Sequence, residues 1–121
     1  MIEDSGRRQA LHAVQVMEFG ALKISCKRDG DVYAICPSGE LDLSTARFLQ
    51  RELERLEASN PRSILLDLSG LTFIDSTGVR LLLSIHARYR DSDRLSMLRG
   101  SAAVQRVLQL TGVADLLPFC D

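Results

Sequence analysis

The 121-residue chain is poor in the groups that most metal and covalent chemistry requires: three cysteines and two histidines in all. Cys26, Cys36 and Cys120 form an odd set without a C-x-x-C pair and without a histidine at zinc-site spacing, which excludes a zinc site of the usual kind. The chain also lacks any apolar run near the roughly 20 residues that span a bilayer. Near its start stand Glu3, Asp4, Arg7 and Arg8, where a signal peptide needs an apolar stretch. The expectation is a cytoplasmic protein with reduced thiols and no membrane contact. Fifteen Lys plus Arg against sixteen Asp plus Glu give a formal charge of -1, so the basic excess that binding to a phosphate backbone needs is missing and nucleic acid is not expected as a direct partner. No phosphate-binding glycine loop of either common kind occurs, which leaves no case for a nucleotide or other cofactor held by this chain. Asp29, Asp31, Asp91 and Asp93 fall in turns without the ligand spacing of a calcium loop and read as solvated turn residues.

What is present is ordinary for one soluble domain: 45% apolar and 26% charged residues, in a length too short for a catalytic domain plus a regulatory one. Residues 1–20 read as an N-terminal tail, partly helical or disordered, with Leu11, Val14 and Met17 at helical spacing but no clear cap; Met17 is an alternative start. Residues 21–121 read as the folded domain. Alternation from Leu22 to Cys26, the turn residues Asp29-Gly30-Asp31 and the apolar run Val32–Cys36 predict an antiparallel hairpin. After Gly39 the period changes: Ala46, Leu49, Leu53 and Leu56 share one helical face, with Asp42 or Ser44 as N-cap. Asn60-Pro61 ends this helix, and Ile64–Leu68 forms a strand parallel to the second one through a right-handed crossover. Residues 69–75 read as a loop with Leu71, Phe73 and Ile74 tucked inward. Further helices are expected at 76–90 and 101–111, and strands at 94–98 and 116–119. The fold class is therefore α/β, a mixed four- to five-stranded sheet packed with three or more helices.

For chemistry, Asp75-Ser76-Thr77-Gly78 puts a hydroxyl at a sharp loop-to-helix turn. It is not a hydrolase nucleophile elbow, because Ile74 stands where the first glycine belongs and neither His12 nor His86 has an obvious route to serve Ser76 as a base. Two readings of Ser76 remain: an N-cap of the following helix, or a phosphate-accepting hydroxyl beside free N–H groups at the positive end of the helix dipole.

The string Gly39-Glu40-Leu41-Asp42 with Ser44-Thr45-Ala46, then Ile64–Leu68, then Phe73-Ile74-Asp75-Ser76-Thr77-Gly78-Val79, resembles the STAS domain of bacterial anti-sigma factor antagonists in order and spacing, from about Leu22 to Phe119. The resemblance implies a single STAS-like domain that is not an enzyme and carries no cofactor. It implies phosphorylation at Ser76 by the partner, an anti-sigma factor with serine kinase activity whose ATP and Mg²⁺ are the partner's own. Asp42, Asp75, Ser76, Thr77 and Gly78 would form the partner-binding surface of a monomer or weak homodimer that switches partners in transcription regulation. Other uses of the fold give the alternative of a scaffold subunit in a stress-signalling or transport complex. Many family members continue into a final helix where this chain stops at Asp121, so the last strand is expected to stay exposed or to pair with another copy.

Overall fold

The computed structural model describes residues 14–120. Its strands are β1 (Val14–Phe19), β2 (Leu22–Asp29), β3 (Val32–Leu41), β4 (Ser63–Asp67), β5 (Gly70–Ile74) and β6 (Leu95–Leu98). Its helices are α1 (Ala46–Glu57), α2 (Ser76–Tyr89) and α3 (Ala102–Leu110). The sheet runs β1-β2-β3-β4-β6, with β5 also on β3. The first two pairings are antiparallel and the others parallel. Mixed sheet and three helices match the expected class, with one strand more than expected.

Alternation builds the core. On β2, Leu22, Ile24 and Cys26 are buried while Lys23 and Lys27 are exposed; Ile35 on β3, Ile64 and Leu66 on β4, and Met97 on β6 continue the buried set. α1 lays Leu49, Leu53 and Leu56 on this layer, and α2 contributes Val79, Leu82 and Ile85. Among the described residues the one buried charge is Glu52, whose Oε1 accepts from Arg55 Nε at 3.0 Å and Nη2 at 2.8 Å. That pairing is what makes its burial tolerable.

Three expectations are corrected. The tail expected over residues 1–20 is, from Val14, a strand of the sheet, while Leu11 lies outside the described residues. Val14-Gln15-Val16 also alternates and is β-branched, and Gly20 at φ 61° closes a hairpin onto β2, so the period of two wins. Met17 and Phe19 are thereby turned toward the helices, and Phe19 stacks on Phe48 at 4.4 Å. The loop expected over 69–75 holds β5, in which Leu71 and Ile74 are buried but Phe73 is 48% exposed. The strand expected at 116–119 shrinks to one bridge, Met97 to Phe119. Pro118 has no N–H to give, and the N–H groups of Leu116 and Phe119 are spent on the local carbonyls of Val113 and Leu117.

β3 is the element that places the site. Its ten residues carry β4 along Val32–Ile35 and β5 along Ser38–Leu41 on the same edge. Asp67 Oδ1 accepts from Ser69 N at 2.9 Å in the turn between β4 and β5. β5 thus extends beside β3 as far as Leu41, where both strands end together.

Candidate functional site

Two loops meet at this end of the sheet. In the first, after β3, Asp42 Oδ1 accepts from Ser44 N at 2.9 Å and from Ser44 Oγ at 2.8 Å. The hydroxyl of buried Thr45 accepts from Asp42 N at 2.9 Å and donates to the Glu40 carbonyl at 2.8 Å, with Asp42 Oδ1 at 3.2 Å as the longer alternative. The Ser44 hydroxyl, with the neighbouring N–H groups, holds the Asp42 carboxyl below its ordinary range. Asp42 and Ser44 were both candidates for the cap of α1. That position falls to Thr45, which makes no side-chain capping bond, because Asp42 and both hydroxyls are committed to the turn.

In the second loop, after β5, Asp75 is the N-cap of α2: its Oδ1 accepts from Gly78 N at 3.0 Å. Its Oδ2 accepts from Leu43 N at 3.1 Å, which ties the two loops together across the sheet end. Asp75 N donates to the Leu41 carbonyl at 3.2 Å. Gly78 is required by the closeness of this join, since a Cβ there would lie 2.6 Å from Ile74 Cγ1 and 2.8 Å from the Leu41 oxygen.

Ser76 is consequently not the cap. It is the first residue of α2, exposed, and its hydroxyl makes no hydrogen bond among the described residues. Thr77 is half-buried and Gly78 buried. The structure brings the loop of Asp42 against the Asp75–Gly78 turn, as a single surface would require. It does not equip Ser76 as a nucleophile: both Asp75 oxygens are engaged by N–H groups, and His86 lies ten residues along α2, about 15 Å on a helix of 1.5 Å rise. His12 lies outside the described residues. Among the described residues no group of three His, Cys, Asp or Glu is placed to hold a metal ion, and no helix is long and apolar enough to cross a membrane.

Sequence reasoning missed two parts of the surface. Leu43 is 77% exposed in the first loop, and Phe73 stands out of β5 beside the second. Leu43 sits in a loop between polar residues, where burial was not dictated. Phe73 was expected inward because three apolar residues in four looked like core, but the shift of register at Gly39 and Glu40 of β3 breaks the alternation.

The cysteines are dispersed by register. Cys26 pairs with Ile35 and Cys36 with Ser25, so the two neighbours in the hairpin point to opposite faces and cannot bridge. Burial pushes the Cys26 thiol up to about 11, and burial with the nearby Asp67 charge raises Cys36 as well.

The geometry defines a small one-sheet α/β domain in which two strands end together and an exposed hydroxyl stands at the start of a helix. The STAS domain matches residues 23–121, and the chain belongs to that family. It is 28% identical over 75 residues to the anti-sigma-F factor antagonist RsfB of Mycobacterium tuberculosis, covering 62% of each chain. It thus spans less than two thirds of that relative. It is 28% identical over 97 residues to the anti-sigma-B factor antagonist of Staphylococcus aureus, covering 79% of this chain and 90% of the relative. Among solved structures, the fold is shared with an anti-sigma factor antagonist from Mycobacterium paratuberculosis at TM-score 0.66 and 22% identity, covering 88% and 83%. It is also shared with SpoIIAA in its unphosphorylated form at TM-score 0.60 and 19% identity, covering 90% and 89%.

Proposed function

We propose that this chain is a cytoplasmic anti-sigma factor antagonist whose switch is Ser76. Unphosphorylated, it binds an anti-sigma factor with serine kinase activity and releases a sigma factor; phosphorylated at Ser76, it lets go. The observation that carries this reading is the hydroxyl itself: exposed, at the first position of α2, and spared from capping because Asp75 does that work. The names of the relatives supply the partner class. Asp42, Asp75 and Thr77 surround the switch as partner surface, and Gly78, expected there as well, is buried and shapes the turn beneath it.

The chain is the substrate of the phosphoryl transfer, not its catalyst. Ser76 Oγ attacks the γ-phosphorus of ATP held with Mg²⁺ by the partner; the bond to the ADP oxygen breaks, and the hydroxyl proton passes to a base of the kinase. The new group brings about -1.5 to -2 charges next to Asp75, on a protein otherwise near neutrality. Because α2 is already capped and buried along Val79, Leu82 and Ile85, the charge disturbs the surface and leaves the core intact.

The test is binding and phosphorylation with the anti-sigma serine kinase of the cells that make this protein. Ser76→Ala is expected to bind persistently and accept no phosphate, and Thr77→Ala to remain phosphorylatable. Ser76→Asp is expected to bind about a hundredfold more weakly, a loss of about 3 kcal/mol, with unchanged circular dichroism. Full phosphorylation of Ser76→Ala, or wild-type affinity in Ser76→Asp, overturns the proposal.

A further inference from the structure

A groove between α1 and α2 starts at the Ser76 end of the molecule. Its floor is apolar, with Ala46 and Leu53 from α1 and Leu81 and Ile85 from α2, all buried. Its rim is basic: Arg47 stands on α1, Arg80 and Arg88 on α2. Among the described residues none of these three arginines is in an ion pair, although Arg47 lies 4.8 Å over the Phe48 ring. Away from the groove, Arg55 is paired with Glu52, Arg62 with Asp31 and Arg94 with Glu57, while Arg51, Arg90 and Arg106 also stand without an ion pair among the described residues; the groove differs in gathering three such arginines along one trough. The acid on the groove is Glu54, with the Gln50 amide at 3.5 Å. Exposed Leu43 closes the end beside Thr77.

Three unmatched cations around an apolar trough, on a chain of net charge -1, specify an occupant of the opposite sign. From Thr77 to Tyr89 the trough follows α2 for about 18 Å, the length of about three turns of a docked helix. We infer that this groove receives an acidic amphipathic helix of the partner, with apolar side chains every three or four residues on the floor and Asp or Glu against Arg47, Arg80 and Arg88. The assignment of the helix to the anti-sigma factor rests on the function proposed above. It also gives the switch a physical form. Arg80 lies four residues after Ser76, within reach on the same helix, so a phosphate at Ser76 neutralises the nearest rim cation and repels the acidic helix at the mouth of its groove.

The experiment uses the full chain, labelled with ¹⁵N, and two synthetic 15-residue amphipathic helices that share one leucine stripe, with glutamate flanking it in one and lysine in the other. The acidic peptide is expected to bind at least tenfold more tightly at low salt, to shift the amides of Thr77, Arg80, Ser84 and Arg88, and to weaken as salt is raised. Arg80→Glu with Arg88→Glu, both on the exposed side of α2, is expected to reverse the preference with circular dichroism unchanged. No shift along α1 and α2 at millimolar acidic peptide, or binding of the lysine peptide as tight as the glutamate one, overturns the inference. Ser76→Ala is expected to bind both peptides as the wild type does, so this result stands apart from whether Ser76 is phosphorylated in the cell.

Discussion

Asp42-Leu43-Ser44-Thr45 and Asp75-Ser76-Thr77-Gly78 are alike in composition, each an aspartate followed by hydroxyl residues ahead of a helix, and they meet at one end of the sheet. In the first the aspartate consumes its hydroxyls: Ser44 and Thr45 are both bonded within the turn, and the helix that follows has no side-chain cap. In the second the aspartate takes backbone N–H groups, from Gly78 and from Leu43 across the gap, and Ser76 is left with nothing to hold. A glycine makes the difference. Its missing side chain lets the first turn of α2 close on Leu41 and Ile74, which brings Asp75 into capping range of Gly78 N. One turn is a structural knot and the other presents a hydroxyl without a hydrogen bond, which is why the proposed switch falls on Ser76 and not on Ser44 or Thr45.

The comparison breaks most severely at Gly78. Gly78→Val inserts side-chain atoms where the Ile74 and Leu41 atoms already stand, and is expected to cost about 3 kcal/mol in urea unfolding. Thr45→Val should follow at about 2 kcal/mol, since it strands the Asp42 N–H and the Glu40 carbonyl in a buried turn. Asp75→Ala removes the cap and the tie to Leu43 together, for about 1–2 kcal/mol. Ser76→Ala is expected to stay within about 0.5 kcal/mol of the wild type, because no bond is lost. A Ser76→Ala cost equal to that of Thr45→Val would erase the distinction between the two turns.

Acid sharpens it further. The folded Asp42 carboxyl lies below its ordinary value of 3.8, so its contribution is complete above the unfolded value and is lost as pH falls through the lowered folded one. The wild type should therefore lose stability relative to Asp42→Asn only below about pH 4, as acid unfolding curves of the two would show. Identical curves would mean that the Ser44 and Thr45 bonds do not favour the carboxylate.

Much of this was legible before any coordinates. The hairpin, the crossover helix α1 and the buried helix α2 follow from periods of two and 3.6 that no competing pattern disturbs, and Ser76 stands at a helix start on sequence grounds alone. What was not legible has physical reasons. Val14–Phe19 satisfies both periods, and pairing with β2 decides between them. β5 was hidden because Leu71, Phe73 and Ile74 read as one inward cluster without alternation, and the irregular register with β3 turns Phe73 out. At the site, the sequence offered Ser76 as the cap of α2, whereas Asp75, the residue before it, takes that role. The join to Leu43, 32 residues away, is a tertiary contact that no local pattern encodes.

The most direct measurement is phosphosite mapping by mass spectrometry on the protein isolated from the cells that make it, as wild type and as Ser76→Ala. The expected result is phosphate on Ser76 alone, absent from Ser76→Ala, with Ser44 and Thr45 unmodified in both. Phosphate on Ser44, Thr45 or Thr77 at comparable extent, or undiminished phosphorylation in Ser76→Ala, would contradict the claim that the α2 turn presents the acceptor and the Asp42 turn does not.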